Sequence, residues 1–102
     1  MGTDAGSLIV IGLPGPEVSA ADRSLIEDLR PAGVILFDRN ARSAGQIAGL
    51  CRDFSALLGD PPPLILLDHE GGRVNRLPVA FTHFPSQGAL GAVDDPELTA
   101  AV

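Results

Sequence analysis

The sequence predicts an α/β fold built on parallel strands, and three observations predict it. Short apolar runs at residues 7–12, 34–37 and 64–67 alternate with two longer segments of helical periodicity. The runs lack the apolar/polar alternation of a half-wet sheet, so they read as strands buried on both faces. Charged residues then follow where the second and third strands should end, and that carboxyl edge is where α/β folds place their ligand sites.

Composition narrows the classes of function. The chain has 102 residues, 45% hydrophobic and 20% charged, enough for one small globular domain spanning residues 1–102. Its net charge of −6 and its pI near 4.5 argue against nucleic acid or an anionic membrane as partner, since both reward a basic patch. The single cysteine excludes an internal disulfide and suits a reducing compartment. The apolar run from Leu8 to Leu13 has no Lys or Arg before it, and is too short for a membrane span or a signal peptide.

The elements follow in order. Ser7-Leu8-Ile9-Val10-Ile11-Gly12 reads as the first strand, broken by Leu13-Pro14-Gly15-Pro16. The Gly-x-x-Gly spacing with prolines inside is not a dinucleotide fingerprint, so an ordinary turn is expected and no cofactor is implied. Ser19 and Asp22 form a capping-box-like start for a helix from about Ala20 to Leu29, with Leu25, Ile26 and Leu29 on one side. Pro31 stops it, and Gly33 releases the chain into Val34-Ile35-Leu36-Phe37. Asp38-Arg39-Asn40 then either lines the rim or forms a solvated turn with a local ion pair. Ser43 and Gln46 make a second capping box, before a helix with Ile47, Leu50, Cys51, Phe54, Leu57 and Leu58 on its apolar stripe. Cys51 on that stripe reads as a small core residue rather than a nucleophile. Gly59 closes the helix, and Pro61-Pro62-Pro63 leads into the third strand, Leu64-Ile65-Leu66-Leu67. Residues 77–93 read as irregular. Asp95, Pro96 and Glu97 open a final helix that runs only to Val102 with no C-cap signal, so the sequence is expected to be the front part of a longer protein.

The chemistry concentrates in Asp68-His69-Glu70-Gly71-Gly72-Arg73-Val74-Asn75-Arg76. Asp68 and Glu70 are two apart, which on extended backbone places both on one face. Such a pair suits glycoside hydrolysis, a hard-metal site, or a clamp in which a carboxylate accepts hydrogen bonds from sugar hydroxyls while an arginine fork donates others. The bland alternative is a charged loop with Glu70 paired to an arginine. A metal fits worst, because two carboxylates and a histidine facing the other way do not complete a shell. His69 and His83 are expected to be structural. Gly71 and Gly72 favour a turn that something approaches closely.

This stretch resembles the Asp-x-Glu-Gly-Gly-Arg-Val-x-Arg segment of the bacterial β-N-acetylhexosaminidases of glycoside hydrolase family three. Gly33-Val34-Ile35-Leu36-Phe37 with Arg39-Asn40, and Phe81-Thr82-His83-Phe84-Pro85, fall at that family's spacing on either side. The β-glucosidases of the family usually read differently at the central motif. The resemblance covers the chain from about Ile9 onward. It implies a TIM (β/α)8 barrel, truncated here to its first three β/α units.

The resemblance also implies removal of terminal non-reducing N-acetylglucosamine, typically from peptidoglycan fragments in cytoplasmic wall recycling, by a retaining mechanism. Asp68 and Arg76 would bind the carbohydrate substrate. Glu70, Gly71, Gly72 and Arg73 would support the loop, with no metal and no catalytic residue in this chain. His69 stands where the family usually has glutamine. The family's Lys-His pair, Asp-His dyad and nucleophilic aspartate have no counterpart here, so Asp68 and Glu70 are not the catalytic pair, and the remainder of the barrel is needed for a closed fold. A non-catalytic sugar- or anion-binding module and a small metal-dependent hydrolase remain the alternatives.

Overall fold

In the computed structural model, which describes residues 4–102, three parallel strands run in the order β1-β2-β3, as Val10–Gly12, Gly33–Leu36 and Leu64–Leu67. Val10 pairs with Gly33, and Gly33 with Leu64, so all three strands end at one edge. Helix α1, Ala20–Leu29, connects β1 to β2, and α2, Ala44–Leu58, connects β2 to β3. Two β-α-β crossovers of this kind fit the opening units expected of a (β/α)8 barrel.

The local signals for α1 act as expected. The Ser19 hydroxyl accepts the Asp22 N–H at 3.1 Å, and the Asp22 carboxylate accepts the Ser19 N–H at 2.9 Å. Arg30 ends the helix in the left-handed region at φ 49°, ahead of Pro31. Its guanidinium donates to the Leu58 carbonyl at 2.8 Å and so ties the end of α1 to the end of α2. Of the expected apolar side, Ile26 is fully buried and Leu29 half-buried, but Leu25 is exposed. The α2 capping box is only half made. The Ser43 hydroxyl accepts the Gln46 N–H, whereas the Gln46 side chain accepts the Arg42 N–H and donates to the carbonyls of Pro16 and Asn40. Gln46 therefore joins α2 to the loop after β1 as well as capping its own helix.

The core forms where β2 meets both helices. Leu13, Ile26, Val34, Leu36, Ile47, Leu50, Phe54 and Leu58 are buried, with Ile11, Cys51, Leu57 and Leu67 packed against them. Val34 and Leu36 alternate onto the helix side of the sheet, in register with Ile65 and Leu67. The other face carries Val10, Ile35, Leu64 and Leu66. Among these, Leu64 is 56% and Val10 40% exposed. The expectation of strands buried on both faces holds for β2 and fails for β1 and β3. They are the edges of the sheet, and on β3 even Ile65 of the helix side is 36% exposed.

Other expectations also change. Ser7 and Leu8 belong to a 3-10 turn, Asp4–Leu8, and not to the first strand. Phe37 leaves β2 to precede a second 3-10 turn, Asp38–Asn40. Residues 77–93 are not wholly irregular. The Ser86 hydroxyl accepts the Ala89 N–H and starts α3, Gln87–Val93. Helix α4, Pro96–Ala101, is capped by Asp95 with Pro96 in its first turn, as the sequence implied. No described helix is long and apolar enough to cross a membrane.

Asn40 carries the sharpest test of this packing. Its side chain is wholly buried and makes three hydrogen bonds. Asn40→Leu keeps the volume, strands the Phe37 N–H and the Gly15 carbonyl, and leaves the Leu13 carbonyl with Arg39 alone, which should cost about 2–4 kcal/mol in denaturant unfolding.

Candidate functional site

Three connections meet at the carboxyl edge of the sheet. The first, after β1, presents carbonyl oxygens inward. Leu13 O accepts from Asn40 Nδ2 at 2.9 Å and from Arg39 Nε at 2.8 Å, and Gly15 O accepts from Asn40 Nδ2 at 2.7 Å. A phosphate loop aims N–H groups at its ligand, and this one spends carbonyls on its neighbours. It is an ordinary turn, as the prolines suggested.

The second connection is the 38–40 turn. Asn40 Oδ1 accepts the Phe37 N–H at 2.9 Å, so one buried amide holds the turn at both ends. Arg39 lies over the Phe37 ring, its guanidinium carbon 5.0 Å from the centroid. Asp38 does not pair with its neighbour Arg39. Its carboxylate lies 3.6 Å from Nη1 of Arg76, on the third connection. The turn thus belongs to the rim and not to solvent alone.

The third connection contains a small hairpin that the sequence reading did not foresee. Strand β4, His69–Gly71, pairs antiparallel with β5, Val74–Asn75. His69 opposes Asn75 and Gly71 opposes Val74, so Glu70 is an extra residue in the ladder. That bulge breaks the regular alternation of the hairpin at Glu70. Gly71 and Gly72 turn the hairpin at φ 82° and 58°, where a side chain is strained. A Cβ on Gly71 would also meet the Pro85 carbonyl, and one on Gly72 would lie 2.7 Å from the Ser86 Cβ. The Gly72 N–H donates to the Phe84 carbonyl at 3.0 Å. The glycine pair is therefore a docking point for residues 84–86, and the expected close approach is made by the chain itself. The Asn75 side chain donates back to the Gly72 carbonyl.

The predicted site residues take up distinct positions on this frame. Asp68 stands between β3 and the hairpin, exposed, with no hydrogen bond or ion pair among the described residues. Arg76 follows β5 with its side chain 29% exposed. Glu70 and Arg73 are exposed and pair with nothing described, so the Glu70–arginine pair of the bland alternative does not form. His69 is half-buried, its Nε2 at 3.3 Å from the Thr82 carbonyl and its ring edge-on to Phe84 at 6.0 Å. His83 Nε2 lies 3.4 Å from the Pro78 carbonyl. Both histidines thus fasten residues 78–84 locally. Among the described residues no three His, Cys, Asp or Glu side chains are placed to hold a metal ion. Burial pushes the Cys51 thiol above its usual range, which disfavours the thiolate a nucleophile needs.

Residues 3–102 match the family model for the glycosyl hydrolase family 3 N-terminal domain. The chain belongs to glycosyl hydrolase family 3. Its family 3 relatives include a beta-hexosaminidase of Alkalilimnicola ehrlichii, 44% identical over 87 residues, covering 85% of this chain and 25% of the relative. A beta-hexosaminidase of Thiobacillus denitrificans is 42% identical over 85 residues, covering 83% and 23%. Among solved structures, a family 3 beta-N-acetylglucosaminidase from Paenibacillus sp. FPU-7 superposes with a TM-score of 0.85 at 37% identity, over 93% of this chain and 19% of that one. NagZ from Neisseria gonorrhoeae, solved with N-trifluoroacetyl-D-glucosamine, gives 0.80 at 30% identity, over 91% and 27%. The chain spans about a quarter of the length of the curated relatives it matches.

In this family 3 chain, Gly71→Ala should destabilise the hairpin by about 2–4 kcal/mol, since it adds a strained φ and a backbone clash at once. Hydrogen exchange at the Gly72 amide should then lose its protection, while the α2 amides keep theirs at temperatures below the melt.

Proposed function

We propose that this chain supplies the first three β/α units, and part of the substrate subsite, of an enzyme that removes terminal non-reducing N-acetyl-β-glucosaminyl groups, as from peptidoglycan fragments. The observation that carries the reading is Asp68: an exposed carboxylate with no described partner at the carboxyl end of β3, on the same connection as a half-buried arginine. An ionised carboxylate accepts hydrogen bonds from two adjacent hydroxyls, and a guanidinium donates to others, so Asp68 and Arg76 make a complementary clamp for a sugar. Gly71 and Gly72 hold that clamp in place by docking on residues 84–86, with Glu70 and Arg73 exposed on the loop. The beta-hexosaminidase names of the relatives and the N-acyl-glucosamine bound to NagZ support this substrate class.

The chemistry divides accordingly. A retaining glycosidase needs a nucleophile and an acid/base on either side of the scissile bond. Asp68 and Glu70 do not fill those roles in this reading: Asp68 binds hydroxyls, and Glu70 is the bulged residue of the hairpin. The nucleophile and the acid/base come from the remainder of the barrel, which also closes over Val10, Leu64 and Leu66. We place the reaction in the cytoplasm, where a free Cys51 is compatible with reducing conditions.

The test uses the complete product of the gene that encodes this chain. It should release the phenol from an aryl N-acetyl-β-glucosaminide, and Asp68→Ala should lower kcat/KM by about two orders of magnitude with little change in Tm. Hydrogen bonds to hydroxyls that tighten in the transition state account for a loss of that size. Saturable sugar binding without turnover would instead point to a non-catalytic binding module.

A further inference from the structure

We propose that Asp38 is a positioning residue for Arg76: from the 38–40 turn its carboxylate sets the direction in which the Arg76 guanidinium points across the rim. The proposal rests on the reading of Arg76 as a sugar-binding residue.

Arg76 needs an orienting partner. Its Nε is buried and makes no hydrogen bond, so the ring of contacts that usually fixes a guanidinium through Nε is missing among the described residues. The described ion-pair partner of its fork is Asp38, at 3.6 Å from Nη1. A carboxylate on one terminal nitrogen leaves the other donors of the fork free for a ligand.

Asp38 is well placed to do this because its carrier is rigid. The next residue, Arg39, is pinned by Nε to the Leu13 carbonyl and by its stack on Phe37. The residue after that, Asn40, is wholly buried and bonded to Leu13, Gly15 and Phe37. The backbone under Asp38 therefore has little freedom, although the Asp38 side chain itself is 70% exposed. An exposed pair is weak and screened by salt, so it adds little to stability. Its effect should fall on where the arginine points, and a uniform loss of fold would not reproduce that signature.

Two measurements decide it. In the complete gene product, Asp38→Asn should lower kcat/KM for a neutral aryl glycoside about threefold, mainly through KM, with Tm unchanged. Raising salt to about 0.5 M should bring the wild type toward the variant and leave the variant flat. Asp38→Glu should recover part of the loss. A variant equal to the wild type at low salt overturns the positioning role while Asp68→Ala continues to report on the substrate site. In the same gene product, the Arg76 Nε–Hε NMR signal should shift and sharpen on Asp38→Asn as the guanidinium gains mobility. An unchanged signal overturns the proposal whether or not any glycoside is turned over.

Discussion

The rim depends on one buried amide. Parallel strands leave the sheet side by side, and beyond their last ladder bond nothing in the sheet holds their loops together. Asn40 closes that gap between the first two units. Its Nδ2 donates to the carbonyls of Leu13 and Gly15, and its Oδ1 accepts from the Phe37 N–H. A wholly buried side chain with three polar needs is tolerable only because all three are met. No apolar residue of that size could satisfy the same carbonyls, and a carboxylate would repel them. Gln46 repeats the device from α2, reaching Pro16 and the Asn40 backbone. The loop after β1 is thus shaped by donors from the second unit.

The third unit joins this frame in a different way. Its connection is a bulged hairpin whose two glycines let residues 84–86 lie directly on the backbone. The docking uses a main-chain hydrogen bond from Gly72 to Phe84 and leaves Asp68, Glu70 and Arg73 free of structural duty among the described residues. Asp68 consequently keeps its hydrogen-bonding capacity unspent among the described residues. The pair between Asp38 and Arg76 is the one ion pair described at this edge, and it joins the second unit to the third. A sugar-binding clamp placed here would be held from two strands at once.

The sequence disclosed what is local and concealed what is not. The bounds of α1 follow from Ser19, Asp22 and Pro31, each acting within four residues of itself, and the strands follow from runs of apolar side chains. The exposure of Leu64 and Val10 could not be read, because an apolar run looks the same in a central strand and at an edge. Helix α3 was hidden by Gly88 and Gly91, which weaken a helical pattern, although Ser86 after Pro85 was a usable cap signal. The Gly71-Gly72 pair was recognised as a close-approach turn, but not as the turn of a hairpin, since β4 and β5 are too short to show an alternating pattern. The reach of Asp38 to Arg76 spans two units and has no signature along the chain. Along the chain Asn40 is one member of the polar triplet Asp38-Arg39-Asn40; its wholly buried position between two loops is a property of the tertiary fold.

The central claim is that Asp68 and Arg76 form the sugar clamp of a family 3 glycosidase. The most direct measurement is a crystal structure of the complete gene product with N-acetylglucosamine. The Asp68 carboxylate should lie within hydrogen-bond distance of adjacent sugar hydroxyls, with the Arg76 guanidinium beside them and still paired to Asp38. A sugar bound at this edge but out of reach of Asp68, or bound elsewhere on the molecule, would contradict it.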